Sequence, residues 1–395
     1  MGMWIGRGVK ARRCYGFDEI ALIPRSLTIN PQDTDLTWRI GTLELEIPIL
    51  ASAMDGVVDV RFAIEMGNLG GLAILNLEGI QTRYDDPSEI IKEIISPASE
   101  KDIESVQAAY SKPIKETLIS QRIEEIKRGG GYAAVSAIPQ RAERFGKIAQ
   151  KAGADIFVIQ STVAAPKHIS STYKSLDLEK FCKMMRIPVI AGNCVTYEVA
   201  LALIKTGIAG LLVGIGPGAA CTTRGVLGIG VPQATAVCDT AAARDFHYKQ
   251  TGKYVPIIAD GGMVTGGDIC KAFACGADAV MIGSALARTK EAPGQGYHWG
   301  MATSDVNLPR GTRIYVGVTG SLKEILFGPA RLDDGSQNLI GALRTSMGSL
   351  GVKNISEMQL TEIIIAPAIQ TEGKIFQAVQ KVGMGSSKGD AEAGI

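Results

Sequence analysis

The sequence lacks an excess of charge of either sign and any long apolar run. Its 41 Lys and Arg residues are nearly matched by 40 Asp and Glu residues, so the formal net charge is +1. Such a balance gives no electrostatic signature for nucleic acid or an anionic membrane. No apolar run approaches the roughly 18 residues that span a bilayer, and residues 1–16 lack the apolar centre of a signal peptide. We therefore expect no nucleic-acid partner, no membrane association and a cytoplasmic location.

Histidines and paired cysteine motifs are also scarce. The chain has 3 histidines and 7 cysteines, and no two cysteines form a CxxC motif. Because zinc sites in proteins normally use such spacings, a zinc site is not expected. Dispersed cysteines in odd number are typical of reduced thiols in a cytosolic protein.

The sequence does contain eight short apolar runs, most of them separated by helical patterns such as TYEVALALIKTG. Runs that are apolar throughout are typical of parallel strands buried on both faces. Eight strand–helix repeats predict an α/β fold of the closed (β/α)8 barrel type, and an open doubly wound sheet is the alternative. The predicted strands are 47–54, 71–75, 132–137, 155–159, 187–193, 209–215, 255–262 and 278–284.

A polar residue or a glycine follows most of these predicted strands. In a closed barrel the carboxyl ends of the strands meet at the face that carries the active site. One such residue alone would indicate only a turn, whereas several together indicate a site. These residues are Asp55, Asn76, Gln160, Asn193, Gly214, Asp260 and Gly283.

Residues 214–224, GIGPGAACTTR, form the most informative stretch. Its glycines and proline predict a tight loop whose backbone amides can converge on an anion. Cys221 at the end of the loop is suited to act as a nucleophile, and Arg224 is expected to lower the pKa of this thiol. The purely structural interpretation is a glycine-rich turn with a small buried cysteine.

This loop resembles the catalytic loop shared by IMP dehydrogenase and GMP reductase. The resemblance covers residues 14–375 and implies that Cys221 attacks C2 of a purine nucleotide. IMP dehydrogenases usually carry CBS modules between the second and third strands. Segment 76–131 has no room for them, so a barrel without this insertion is expected.

The resemblance also implies the domain organisation. A single barrel domain is expected over residues 1–395, with its strands within about 47–284. A flap is expected at about 302–317, and the polar residues 385–395 are predicted to be a mobile tail.

Further motifs resemble the nucleotide-binding segments of the family. ADGG and MIGS follow the seventh and eighth strands, where barrels often bind phosphate. In the family, the position of Asp260 accepts hydrogen bonds from ribose, and the positions of 261–262 and 283–284 hold the 5′-phosphate. The substrate-binding residues implied are Ser52, Met54, Asn193, Asp260, Gly261, Gly262, Gly283, Ser284, His298, Gly300 and Met301.

The catalytic and cofactor residues follow from the same resemblance. Thr223 and Glu291 are expected to pair for proton transfer at the purine, because a hydroxyl and a carboxylate within hydrogen-bond reach form an acid–base relay. NADPH or NAD is the implied cofactor. Its implied contacts are Gln160, Ser161, Thr162, Gly214 and Gly216. A K⁺ site is implied through the backbone carbonyls of Gly216, Gly218 and Cys221.

The chain departs from the family pattern at three places. Ala219 replaces a phosphate-binding serine of many members, and Gln160 replaces an aspartate at the cofactor site. Dehydrogenases also activate a water molecule with an Arg-Tyr pair in the flap, and segment 304–317 has no such pair, although Arg310 or Arg313 could substitute for it.

These departures favour GMP reductase, which converts GMP to IMP and ammonia and needs no activated water. NAD-dependent IMP dehydrogenase, a catalytically silent purine-nucleotide-binding protein and an unrelated phosphate-binding flavoprotein barrel are the alternatives. The expected ligand is a purine nucleoside monophosphate, GMP or IMP, and the expected assembly is a homotetramer or octamer.

Overall fold

The computed structural model describes residues 3–96, 103–300, 313–369 and 371–383. Within these ranges eight parallel strands form a closed barrel in which sequential strands are neighbours and the eighth pairs with the first. The predicted barrel is therefore confirmed, and the open-sheet alternative is wrong. The strands are β1 Ile49–Ala51, β2 Leu72–Asn76, β3 Ala134–Ala137, β4 Ile156–Gln160, β5 Val189–Cys194, β6 Gly210–Val213, β7 Ile257–Asp260 and β8 Ala279–Ile282.

Helices cover the outside of the barrel. Most begin at a side chain that caps their free backbone amides, as at Thr265 and Asp268, which form a reciprocal capping box. The helices are α1 Val60–Asn68, α2 Pro87–Ile95, α3 Ile103–Ser111, α4 Glu116–Arg128, α5 Pro139–Lys151, α6 Leu178–Met184, α7 Tyr197–Ile204, α8 Thr223–Leu227, α9 Gln233–Thr251, α10 Gly266–Ala274, α11 Ser284–Ala287, α12 Leu322–Phe327, α13 Leu339–Leu350, α14 Ile355–Met358 and α15 Ile375–Gln380.

The connection between β2 and β3 holds α2, α3 and α4. Helices of this length occupy the connection in its described parts, which agrees with the expected absence of an inserted module.

The barrel interior is closed at the amino-terminal ends of its strands. Residues of the strands, including Leu72, Ile156 and Met281, form one buried cluster with a hairpin that pairs Trp38–Ile40 with Leu43–Leu45. The Trp38 indole donates a hydrogen bond to the Ile47 carbonyl at 3.1 Å. Because this hairpin plugs the amino-terminal end, the described residues leave the opposite end of the strands for ligand access.

Three further two-stranded sheets lie outside the barrel. Met3–Gly6 pairs with Val9–Ala11, and Ile20–Leu22 pairs with Ile363–Ile365. The third pairs Tyr297–Trp299 with Arg313–Tyr315 and forms the base of the predicted flap. No helix in the described ranges is long and apolar enough to cross a membrane.

Candidate active site at the carboxyl ends of the strands

A half-buried carboxylate lies at the end of β7. Asp260 Oδ2 accepts hydrogen bonds from Asn193 Nδ2 at 2.8 Å and from Gln160 Nε2 at 3.1 Å. Burial raises the pKa of Asp260 to about 6, and the two amide donors oppose this shift because they favour the ionised form. Strands β4, β5 and β7 thus bring together three residues predicted from separate motifs.

Gln160 therefore has a role that the sequence did not indicate. Its side-chain amide is directed at Asp260, although a contact with the cofactor was expected. The next residue, Ser161, exchanges backbone hydrogen bonds with β5: its N–H donates to the Gly192 carbonyl at 2.9 Å, and its carbonyl accepts from Asn193 N at 3.0 Å. Ser161 and Thr162 are both half-buried.

The cysteine of the glycine-rich loop is exposed. Cys221 Sγ lies 3.2 Å from Thr223 Oγ1, and the Cys221 N–H donates to the Gly218 carbonyl at 3.1 Å. Thr223 is buried at the first turn of α8, which holds its hydroxyl beside the sulfur. The structural interpretation, in which the cysteine is a buried apolar residue, is therefore wrong.

In the structure Arg224 binds backbone carbonyls, and its effect on the thiol stays a prediction. Its guanidinium donates to the backbone carbonyls of Ile215 at 3.2 Å and Val231 at 2.7 Å. These bonds tie the start of the loop to the segment that precedes α9, so Arg224 fixes the loop conformation.

The glycines of this loop are required for different reasons. Gly214 has φ +145°, and a Cβ there would lie 2.3 Å from the Asp260 carbonyl oxygen; at Gly216 a Cβ would collide with the Arg224 side chain. Internal packing therefore accounts for both. Gly218 is different, because a Cβ there would meet nothing within 4 Å. The absence of a side chain at Gly218 leaves its backbone open to close approach by a ligand.

Several loops meet at one rim of the barrel. A Cβ on Gly261 would lie 3.4 Å from Gly218 N, and one on Gly283 would lie 3.1 Å from Met54 Sδ and 3.5 Å from Ser52 Oγ. The loop after β7 therefore contacts the loop after β6, and the loop after β8 contacts the loop after β1. Both Gly261 and Gly262 have φ +81°, a conformation that side chains disfavour.

The segment that leads into the flap borders the same rim. A Cβ on Gly300 would lie 3.2 Å from the Ala220 carbonyl oxygen. Gly300 thus lies beside the glycine-rich loop that carries Cys221. Met301, the flap residues 302–312 and the predicted tail 385–395 lie outside the described residues.

His298 is buried and contacts the predicted phosphate-binding serine. Its Nε2 lies 2.7 Å from Ser284 Oγ, and its Nδ1 lies 3.2 Å from the Ile314 carbonyl oxygen. Burial lowers the pKa of His298. Because Ser284 itself is half-buried, it separates the histidine from the open rim.

Glu291 is not paired with Thr223 in the structure. Its Oε2 accepts a hydrogen bond from Leu322 N at 2.7 Å, at the start of α12. Glu291 also lines a cavity of about 460 Å³ with residues of α1 and α2, such as Arg61 and Ser88. The Glu291–Thr223 relay is not formed in this structure and stays a prediction.

Arg313 is also placed away from the expected role. Its guanidinium donates to the Ile94 carbonyl in the last turn of α2. This bond holds Nη1 at α2, and the substitution of Arg313 for the water-activating pair stays a prediction. Arg310 lies outside the described residues.

Sequence reasoning missed Gln233, the first residue of α9. Its side-chain amide donates to the carbonyls of Val213 at 2.7 Å and Asp260 at 3.3 Å. Gln233 thereby joins the end of β6 to the end of β7 directly below the catalytic loop. A polar side chain at the start of an otherwise packed helix was the available signal.

Comparison with known proteins identifies the family. Residues 14–375 match the IMP dehydrogenase / GMP reductase domain, so the chain belongs to that family and is an oxidoreductase of its type. A barrel with a cysteine-bearing loop after β6 and a carboxylate after β7 is the arrangement that the motifs had implied.

Individual relatives agree with this assignment. The chain is 38% identical over 364 residues to an uncharacterized oxidoreductase of Mycolicibacterium smegmatis, covering 90% of this chain and 97% of that protein. It is 31% identical to the inosine-5′-monophosphate dehydrogenase of Cryptosporidium parvum, covering 90% of each. The crystal structure of an IMP dehydrogenase/GMP reductase-like protein from Corynebacterium glutamicum superposes with a TM-score of 0.87 at 36% identity, covering 92% of this chain and 97% of that one.

Proposed function

We propose that this protein is a GMP reductase, which uses NADPH to convert GMP to IMP with release of ammonia. The observation that carries the proposal is the exposed Cys221 thiol beside the Thr223 hydroxyl, at the rim that also holds Asp260. A nucleophile, a proton-carrying hydroxyl and a ribose-binding carboxylate are the groups that the reaction requires.

In this proposal the nucleotide is held by its phosphate and its ribose. The 5′-phosphate lies against the backbone of Gly218, Gly261 and Gly262 and near Gly283 and Ser284, since glycine allows close approach. Asp260 accepts hydrogen bonds from the ribose hydroxyls, and Asn193 and Gln160 hold its carboxylate in place. Ser52, Met54 and Gly300 border the purine.

The covalent step then balances within the site. Cys221 Sγ attacks C2 of GMP, and the thiol proton passes to Thr223 Oγ1, which lies 3.2 Å away. The Thr223 hydroxyl gives its own proton to the departing 2-amino group, so ammonia leaves and a Cys221–C2 adduct forms. Because Glu291 is engaged with Leu322 N, this route uses Thr223 alone.

The second step reduces the adduct at C2. The reduced nicotinamide, when bound, supplies the hydride. Cys221 leaves as the thiolate, giving IMP. Ser161, Thr162, Gly214 and Gly216 would hold the cofactor with Gln160, and the half-buried positions of Ser161 and Thr162 leave them accessible for such contacts.

A bound K⁺ would use backbone carbonyls of Gly216, Gly218 and Cys221. The Gly218 carbonyl accepts the Cys221 N–H and keeps a second lone pair for a cation. Such an ion would fix the loop that carries the nucleophile.

The direction of the reaction rests on the flap. A dehydrogenase must hydrolyse the adduct with an activated water, and segment 304–317 lacks the Arg-Tyr pair that does so. Arg313 supports the same direction, because its guanidinium is bound to the Ile94 carbonyl. The reductase needs no hydrolysis, so these features do not impair it.

Two parallel assays test the proposal. Protein is incubated with GMP and NADPH, and separately with IMP and NAD, while absorbance of reduced nicotinamide is followed and products are separated. We expect NADPH oxidation with equal amounts of IMP and ammonia. Formation of XMP from IMP, with no NADPH oxidation in the presence of GMP, would instead assign IMP dehydrogenase activity.

We also propose that the enzyme is cytoplasmic and forms a homotetramer, as its resemblance to the family implies. Light scattering at micromolar concentration measures the assembly. A monomer at that concentration would contradict the tetramer without affecting the proposed reaction.

A further inference from the structure

The hydrogen bonds of His298 define which nitrogen of the neutral ring carries the hydrogen. Its Nδ1 lies 3.2 Å from the Ile314 carbonyl oxygen, which can only accept, so Nδ1 carries a hydrogen. In the neutral ring Nε2 is then an acceptor, and Ser284 Oγ at 2.7 Å must donate its hydrogen to it. In this state the Ser284 hydroxyl has no hydrogen to offer another group.

The surroundings keep His298 neutral when no anion is present. The residue is 1% exposed, and burial lowers its pKa. Arg288 at the end of α11 lowers the pKa further and itself lies 4.0 Å from Asp334. On neighbouring elements Asp55 is bonded to Tyr110, and Arg313 donates to the Ile94 carbonyl.

A dianion beside Ser284 would reverse this arrangement. It requires a hydrogen-bond donor, and its charge raises the pKa of a nearby imidazole. When a proton from solvent binds Nε2, that nitrogen becomes a donor to Ser284 Oγ. The Ser284 hydrogen is then released to the anion, and the Nδ1 bond to Ile314 is unchanged.

We propose that Ser284 and His298 form a proton-linked phosphate receptor, in which binding of the nucleotide 5′-phosphate is coupled to uptake of one proton by His298. This inference rests on the proposed function, because the proposed nucleotide site places the phosphate beside Ser284. Affinity should then be highest at mildly acidic to neutral pH. It should fall by up to tenfold per pH unit between the pKa of His298 in the free protein and its higher pKa in the complex, because only in that range is a proton taken up on binding.

Nuclear magnetic resonance observes this proton directly, since the chain has only 3 histidines. The ring nitrogen signals are recorded at pH 7 for the free protein and with IMP, GMP or inorganic phosphate, and His298→Gln identifies the signal. We expect a neutral ring with Nδ1 protonated in the free protein and a doubly protonated ring in the complexes.

Calorimetry of IMP binding in two buffers of different ionisation enthalpy counts the protons taken up. His298→Gln keeps a side chain that can donate to the Ile314 carbonyl, and it should lose the proton uptake and the steep loss of affinity at high pH. Ser284→Ala should lose the coupling while leaving His298 in place. The ionisation of the phosphate contributes equally to the parent and to both variants. It therefore cancels when their proton uptakes are compared.

The outcomes separate the receptor from the proposed function. IMP binding with His298 neutral throughout, or with equal proton uptake in His298→Gln, would overturn the receptor and leave the reductase standing. Proton uptake with inorganic phosphate in a protein that binds neither IMP nor GMP would keep the receptor and contradict the proposed function. No response of His298 to any of the three anions would contradict the receptor.

Discussion

Two carboxylates at the barrel rim show how similar sequence signals can have different meanings. Asp55 follows β1 and Asp260 ends β7, and both were predicted as polar residues at strand ends. Burial raises the pKa of each to about 6. From sequence position and pKa alone, the two residues cannot be told apart.

Their hydrogen bonds distinguish them. Asp55 is 1% exposed; its Oδ1 accepts from Ile80 N at 3.0 Å and its Oδ2 from Tyr110 Oη at 2.6 Å. The Trp299 indole in turn donates to Tyr110 Oη at 2.8 Å. Both carboxylate oxygens therefore accept hydrogen bonds from within the fold. Through them Asp55 holds α3 and the base of the flap to the barrel.

Asp260 is bonded on one side only. Both of its hydrogen bonds reach Oδ2 and come from neutral amides, while Oδ1 has no partner among the described residues. The side chain is half-buried rather than fully enclosed. A carboxylate that is oriented but unsaturated is suited to bind a ligand, whereas a saturated one stabilises the fold.

The largest expected difference between the two carboxylates is in stability. Asp55→Ala leaves the buried Tyr110 hydroxyl and Ile80 amide without an acceptor, which should lower the free energy of unfolding by about 2–4 kcal/mol. Asp260→Ala is the matched control and should change it by less than about 1 kcal/mol. Urea denaturation followed by circular dichroism measures both. Equal losses in the two variants would contradict the distinction.

The reverse difference is expected in binding. Asp260→Ala removes a charge-assisted hydrogen bond to ribose and should weaken nucleoside monophosphate binding by about 1.5–3 kcal/mol. Asp55→Asn retains most of the buried network and should bind like the parent. Calorimetry with GMP or IMP makes the comparison. Unaltered affinity in Asp260→Ala would show that this carboxylate does not contact the nucleotide.

The pH dependence of stability gives a signed effect of similar size. The pKa of Asp55 is about 6 in the folded protein against an ordinary value of 3.8, so between these values the folded state binds more protons than the unfolded chain. The stability contributed by the protonated carboxyl is thus complete below the lower value and is lost as pH rises through the upper one.

Asp55→Asn isolates this effect because asparagine resembles the protonated acid and does not titrate. The unfolding free energy of the parent relative to this variant should fall between pH 4 and pH 7, by about 1.4 kcal/mol for each unit of pKa shift. An identical difference at both pH values would show that the carboxylate of Asp55 is not penalised by burial.

The smallest effect concerns Gln160. Gln160→Glu places a second carboxylate about 3 Å from Asp260, and like charges at that distance resist ionisation together. Nucleotide binding at pH 8 should weaken by roughly threefold to tenfold and recover towards pH 6. Gln160→Met removes the amide without adding charge and should show no recovery beyond the pH dependence of the parent. Parallel pH profiles for the two variants would exclude charge repulsion as the cause.

The sequence predicted the barrel and its rim because both depend on local signals that repeat. All eight apolar runs contain strands, and the residues after them meet at one end. Asp260, Asn193 and the loop glycines lie at that end for the same reason. A resemblance over most of the chain then supplied the family.

Side-chain partners could not be predicted in the same way. Arg224 and Glu291 were assigned to the thiol and to Thr223 by proximity in a motif, yet each binds backbone groups that only the folded chain brings near. The bond between Ser284 and His298 joins residues that were predicted separately. Which partner a polar group satisfies is decided by tertiary packing.

Trapping the adduct tests most directly whether Cys221 forms a covalent bond to the purine. The protein is quenched with acid during turnover of GMP with NADPH, digested, and analysed by mass spectrometry. We expect a purine nucleotide on the peptide that contains Cys221, and neither adduct nor turnover in Cys221→Ala, which should still bind GMP. Absence of the adduct, with Cys221→Ala turning over within about tenfold of the parent, equivalent to about 1.4 kcal/mol in the barrier, would contradict covalent catalysis by this residue.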